Sequence, residues 1–220
     1  MKFEHTEVFN WTGAMRGMRN PMDSWSKSDT VESICDTTEP YRITGTVGIY
    51  VRVVTIGEND LGLAQRLIRA GAEHRKFLRQ ILVSVDIIAP RYVWTEMDTY
   101  KIGTTANSCS TMHKLANYPI TSDMFEFDGK DTPFFTQLVE DLEAMRCKYN
   151  QTKDMEDFRM LKQALPESFL QRRTVTLNYE TILNMLHQRK NHRLKEWSTD
   201  FVGWVRSLPY AEELLFLDRE

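Results

Sequence analysis

Apolar positions fall into short periodic stretches whose period changes along the chain. From Tyr41 to Thr55, YRITGTVGIYVRVVT is rich in β-branched and aromatic residues and predicts one or two strands. Between Asn59 and Lys76 the period lengthens. Leu61, Ala64, Leu67, Ile68 and Ala72 recur at helical spacing, with Asn59 or Asp60 placed to cap the helix. Phe77 to Ile88 (FLRQILVSVDII) predicts a buried strand ended by Pro90, which cannot donate to a central ladder. Arg91 to Lys101 resumes as a helix with Val93, Trp94, Met97 and Tyr100 on one side. Residues 134–164 predict amphipathic helix interrupted near Tyr149–Thr152. After Leu165-Pro166, one helix begins near Asn178 and another spans 195 to 207. Polar residues dominate elsewhere. Residues 1–40 read as an irregular N-terminal segment punctuated by Gly13, Gly17 and Pro21. Ile102–Ser110 (IGTTANSCS) reads as a hydroxyl-rich loop, and Asp128–Lys130 as a surface turn. Helices on either side of a central β portion predict an α+β fold, a twisted sheet flanked by helices, in one domain over 1–220.

Composition narrows the function. With 220 residues the chain can bury a real core, and its net charge of −3 comes from interleaved acids and bases, which disfavours general nucleic-acid binding. Cys35, Cys109 and Cys147 are widely separated and show no zinc spacing, so no structural metal is expected and a reducing compartment fits. No signal-peptide pattern or membrane-length apolar run is present, so the expected location is the cytoplasm.

Four polar clusters are candidates for chemistry. Arg16 and Arg19 lie among glycines in GAMRGMRNP, where they could fork onto a phosphate or pair with Asp23 or Asp29. Glu73-His74-Arg75-Lys76, with Arg79 behind, is either an anion site or a solvated helix end. The stretch EMDTYKIGTTANSCSTMHK (Glu96 to Lys114) offers Thr104, Thr105, Asn107, Ser108, Ser110 and Thr111 as hydrogen-bonding groups. Tyr100 and His113 could stack or exchange protons there, and Cys109 is a nucleophile only if a cation lowers its pKa. No hydrolase or NTPase motif accompanies them. The fourth cluster is Gln171-Arg172-Arg173 with Asn178, Asn184, Arg189 and His192, in which Asn178 is either a helix cap or a ligand group.

The third and fourth clusters resemble the flavin-dependent thymidylate synthases. APRYVWTEMDTYKIGTTANSCSTMHKL is similar to that family's signature stretch, and Glu73-His74 with Phe77 resembles its Glu-His-x-x-Phe. Leu165-Pro166, Thr176, Asn178, Asn184 and Arg189 recur at the family's spacing. Together the matches span about 57–200. The departures are specific. Thr99-Tyr100-Lys101 stands in place of an Arg-His-Arg triplet, Asn107 in place of a glutamate, and Cys109 in place of a serine. Thr111-Met112 replaces an Arg-Tyr pair, Lys162 an arginine before Leu-Pro, and Glu180 an arginine near the flavin. Ile68 stands where the family has a histidine.

The resemblance implies a homotetramer that methylates dUMP to dTMP using reduced FAD, with NADPH and methylenetetrahydrofolate as co-substrates and sites shared between subunits. Arg189 is then the activating cation. Glu73, Tyr100, Lys101, Thr104, Asn107, Asn178 and Asn184 would line the flavin. Glu96, Ser108, Cys109, Ser110, Lys162 and Arg189 would hold the nucleotide. Arg16, Arg19, Arg75, Arg79, Arg172 and Arg173 are available to replace the missing cations. The substitutions also admit a non-catalytic nucleotide-binding or regulatory protein on the same fold.

Overall fold

The structure, a computed structural model, describes residues 1–36 and 50–217. Its contacts divide into two compact units. The first comprises Met1–Thr6, Ser84–Thr176 and His192–Phe201, and the second Glu7–Val83, Leu177–Asn191 and Val202–Glu220.

A four-stranded sheet dominates the first unit. Its strands are β1 (Lys2–Phe9), β4 (Leu82–Pro90), β6 (Leu170–Asn178) and β5 (Thr105–Ser108), in that spatial order. A separate antiparallel ribbon pairs β2 (Val31–Asp36) with β3 (Tyr50–Thr55). The strand expected over Tyr41–Thr55 is present from Tyr50, and residues 41–49 lie outside the described residues. Strand β4 alternates as its sequence requires, with Val83, Val85, Ile87 and Ala89 buried. Its partner β6 runs antiparallel to β5, with Thr105 opposite Thr176 and Ser108 opposite Arg173. The predicted loop over 102–110 thus contains an edge strand. All four β5 residues are exposed, so no apolar alternation signals it.

Helix α3 (Arg91–Met97) follows β4 directly and buries Val93, Trp94 and Met97. The long α5 (Pro133–Thr152) has Thr132 as its cap and proline in its first turn. It breaks at Lys153, whose φ of 56° turns the chain, and Asp154 then caps α6 (Met155–Ala164). Leu115, Phe125, Phe135, Leu142, Leu161 and Phe169 form an apolar cluster in this unit. Phe125 lies at its centre, edge-on to Phe135 and Phe169 at 5.8 and 5.7 Å. The predicted helix over 195–207 is a π-helical turn, Glu196–Phe201, continued by α8 (Val202–Arg206).

The second unit combines the β2–β3 ribbon with helices. The N-terminal segment expected to be irregular over 1–40 is regular within its described residues 1–36, because β1 is followed by α1 (Trp11–Arg19). Its glycines are not punctuation: a Cβ at Gly13 would collide with the Asn10 amide and one at Gly17 with that of Gln80. Trp11, Ala14, Met15 and Met18 form the buried face. Helix α2 (Glu58–Arg69) starts at Gly57 and is capped by neither Asn59 nor Asp60. Asp29 instead accepts the amides of Asn59 and Asp60 at 2.9 and 3.0 Å. Helix α7 (Tyr179–Arg189) is capped by Asn178, which accepts the Thr181 amide at 3.0 Å.

Asp60 is fully buried and gathers the segment before α2 around itself. It accepts Arg19 Nε at 2.5 Å, the Ser28 and Thr30 hydroxyls, and the Asp29 and Thr30 amides. Burial raises its pKa, but hydrogen bonds from Thr30, Ser28 and Arg19 outweigh that effect and hold the carboxyl below 3.8. A lowered native pKa contributes stability above the unfolded value, and that contribution is lost as pH falls through the native one. Asp60→Asn should therefore cost about 3–5 kcal/mol at neutral pH by urea denaturation. It should also flatten the loss of stability on acidification below pH 3.8.

Candidate functional site

The predicted site residues separate into three groups. The first surrounds a cavity of about 500 Å³ in the first unit. Cys109, Ser110, Thr111, Lys114 and Arg172 supply its polar wall, opposite Ile88, Leu115, Tyr118, Met124, Phe169 and Leu170, with Asp123 also on the lining. Antiparallel pairing places the polar wall: Cys109 donates its amide to the Arg172 carbonyl at 2.9 Å, and Gln171 donates to the Cys109 carbonyl at 3.2 Å. Lys162, on α6, reaches this wall by donating to the Thr111 hydroxyl. Burial first, and then the nearby Arg91 charge, lower its pKa. A phosphate beside this ammonium would relieve the second effect and repay part of the first. Ser110 is partly committed, because its hydroxyl caps the short helix α4 (Thr111–Lys114) by accepting the His113 amide.

The second group lines a smaller cavity of about 190 Å³ beside α3 and β5, with Trp94, Asp98, Tyr100, Lys101 and Thr104 in its wall. The Thr104 hydroxyl is buried without a hydrogen-bond partner. An orphaned hydroxyl at a cavity is a position where a polar ligand atom restores a lost hydrogen bond. Arg173 stacks over the Trp94 ring at 4.2 Å and pairs with Asp98 at 2.6 Å. Asn107 and Ser108 lie exposed on β5, opposite Thr174 and Arg173. Glu96 pairs with His192 Nε2 at 3.4 Å.

The third group belongs to the second unit. Arg75, 3% exposed, grips Glu180 through Nε at 2.9 Å and Nη2 at 3.0 Å. Arg75 Nη2 also donates to Asn184 Oδ1 at 3.4 Å, while Arg75 Nη1 is buried without a partner. Glu73 is exposed and Arg189 half-buried at the end of α7.

The cations proposed as replacements divide accordingly. Arg19 and Arg75 are buried against Asp60 and Glu180, and so are not available to an outside anion. Arg173 is held by Asp98 and Trp94. Arg172 lines the large cavity but also binds Glu4 at 2.8 Å and Asp86 at 3.4 Å. Arg172 and Arg173 are neighbours in the sequence, but strand alternation sends them to opposite faces. Lys114 also lines the cavity, and its only signal in the sequence is its place one turn beyond Ser110.

No protein-family model matches the chain, and no curated protein is found to be similar to it. Solved structures do match, and they define the fold as that of the flavin-dependent thymidylate synthases. The chain is similar to a crystal structure of flavin-dependent thymidylate synthase ThyX from Helicobacter pylori complexed with FAD and dUMP. That match has a TM-score of 0.71 and 18% identity, and covers 100% of this chain and 99% of the other. A second structure of ThyX from the same organism, with FAD and dUMP at 2.31 Å, matches at a TM-score of 0.69 and 18% identity, over 98% and 97% of the two chains.

Glu180, at the position where the resembling family has an arginine, is paired with Arg75 of the same unit. Removing one member leaves a buried charge alone. Glu180→Ala should cost about 3–5 kcal/mol in urea unfolding, and the double variant Arg75→Met/Glu180→Leu should recover much of that loss.

Proposed function

We propose that this protein binds a pyrimidine nucleotide and carries out the FAD-dependent reductive methylation of dUMP to dTMP. Methylenetetrahydrofolate and NADPH would be its co-substrates, and the assembly a cytoplasmic homotetramer. The observation that carries the reading is the 500 Å³ cavity, where Thr111 and Lys114, with Lys162 behind Thr111, face an apolar wall. Two ammonium groups and a hydroxyl suit a phosphate monoester, and the apolar wall suits a flat base. Lys162 and Lys114 would hold the phosphate, with Ser110 and Cys109 at its margin. Glu96, Ser108 and Arg189 complete the proposed nucleotide set, in which Arg189 stabilises negative charge developing on the pyrimidine.

For FAD the fit is partial. Thr104 offers an unpartnered hydroxyl beside Tyr100 and Lys101, but 190 Å³ takes a ring edge and not a dinucleotide. The other residues proposed for flavin are Asn107 in the first unit and Glu73, Asn178 and Asn184 in the second. Bound flavin would supply the redox chemistry, while these residues orient it.

A second reading is nucleotide binding without flavin. The Arg75–Glu180 pair favours it, because Glu180 stands where the resembling family has an arginine and the cation beside it is already neutralised. Three measurements separate the readings. Purified protein incubated with FAD should keep the visible flavin bands after desalting. Tritium should be released from 5-labelled dUMP when NADPH and methylenetetrahydrofolate are present. In calorimetry dUMP should bind at least about tenfold more tightly than deoxyuridine, and Lys162→Met should remove most of that difference. Phosphate-dependent binding without flavin bands selects the second reading. Equal affinity for dUMP and deoxyuridine rejects both.

A further inference from the structure

Among the apolar lining residues of the cavity of about 500 Å³, Tyr118 is set apart by its exposure. Leu115 and Ile120, on either side of it in sequence, are buried in the apolar cluster at 7% and 3%, whereas Tyr118 is 63% exposed. Single open apolar side chains are common on protein surfaces and mean little alone. This one differs in how firmly its backbone is held.

Three side chains on one face of α5 bracket the segment that carries it. Arg146 Nη1 and Asn150 Nδ2 both donate to the Ala116 carbonyl, at 3.2 and 2.8 Å, just before the tyrosine. Glu143 accepts the Ile120 amide just after it, at 2.7 Å. Two hydrogen bonds from Arg146, at 2.7 and 2.5 Å, fix the Glu143 carboxylate in turn. That pairing above all holds the Glu143 carboxyl down to about 2, against the effect of burial. Pro119 adds a local constraint. The residue before a proline is confined to extended backbone, and Tyr118 has φ −125° and ψ 150°. With two side-chain torsions on a fixed backbone, the ring offers a large contact area at little further cost in entropy. Lys114, on the same lining, lies four residues earlier in this segment, so one stretch of chain supplies both a cation and an open aromatic face.

We propose that Tyr118 is the platform on which the base of the bound nucleotide stacks. The site then selects a phosphate monoester that carries a flat ring over one that carries sugar alone. This inference rests on the nucleotide reading and deepens it. The cations hold the phosphate whatever is attached to it, while Tyr118 senses the base. A π-face accepts any nucleobase, so choice among bases falls to other groups.

Calorimetry with dUMP and with 1,2-dideoxyribose 5-phosphate, which lacks the base, separates the two contributions. Wild type should prefer dUMP by about fivefold or more, Tyr118→Ala should remove most of that preference, and Tyr118→Phe should keep it. Affinity for the abasic compound should be the same in all three proteins, and so should their urea midpoints. Proton NMR reads the stacking itself: the two ring C–H protons of dUMP should move upfield on binding wild type, and less on binding Tyr118→Ala. If dUMP binds through its phosphate and Tyr118→Ala matches wild type in affinity and upfield shift, the platform is overturned and the nucleotide reading stands. Equal losses in Tyr118→Ala and Tyr118→Phe would assign the effect to the hydroxyl and also overturn it. Absence of binding by dUMP and the abasic compound alike overturns the nucleotide reading and the platform with it.

Discussion

A guanidinium taken out of water must find a carboxylate, and that requirement decides much of how this chain uses its arginines. Arg19 finds Asp60 and Arg75 finds Glu180, at N···O distances of 2.5 and 2.9 Å. Each pair ties distant segments together, and each removes a cation from the set that an external anion can reach. The cations left at the 500 Å³ cavity are Lys114 on its lining, Lys162 behind Thr111, and Arg172, which is shared with two acids. Structural pairing and ligand binding thus compete for the same residue type, and the fold has settled the competition by burial.

The fold of this chain is similar to that of the Helicobacter pylori enzyme. The likeness extends over essentially all of both chains at 18% identity, which is enough to define an architecture and leaves side-chain chemistry free to change. Lysine and arginine are not equivalent cations: arginine presents a planar, bidentate fork, whereas lysine is a point charge whose pKa burial lowers, as at Lys162.

The sequence made some parts of this structure legible and hid others. Strand β4, the α5–α6 break and the Asn178 cap of α7 could be read because periodicity and capping are local signals. Helix α1 was hidden because its glycines, which allow close approach to Asn10 and Gln80, look like breakers when the neighbours are unknown. Strand β5 was hidden because an edge strand of small polar residues buries nothing. In the site, Cys109, Ser110 and Thr111 were legible as one run. The Arg75–Glu180 pair, 105 residues apart, has no local signature at all.

Strand β6 carries a further consequence. Arg172 and Arg173 are adjacent, yet one turns to Glu4 and Asp86 and the other to Trp94 and Asp98. Only the pairing frame, fixed by Ser108 opposite Arg173, keeps them apart. A slip of one position would exchange the two guanidiniums, putting each in front of the other's acids and moving the buried Val175 toward solvent. The constraint on this strand's length is thus electrostatic as well as steric: a single inserted residue would rewire charge on both faces of the sheet without altering any side chain. Lengthening the exposed Ile102–Gly103 turn, which precedes the β5 frame, would leave that wiring as it is.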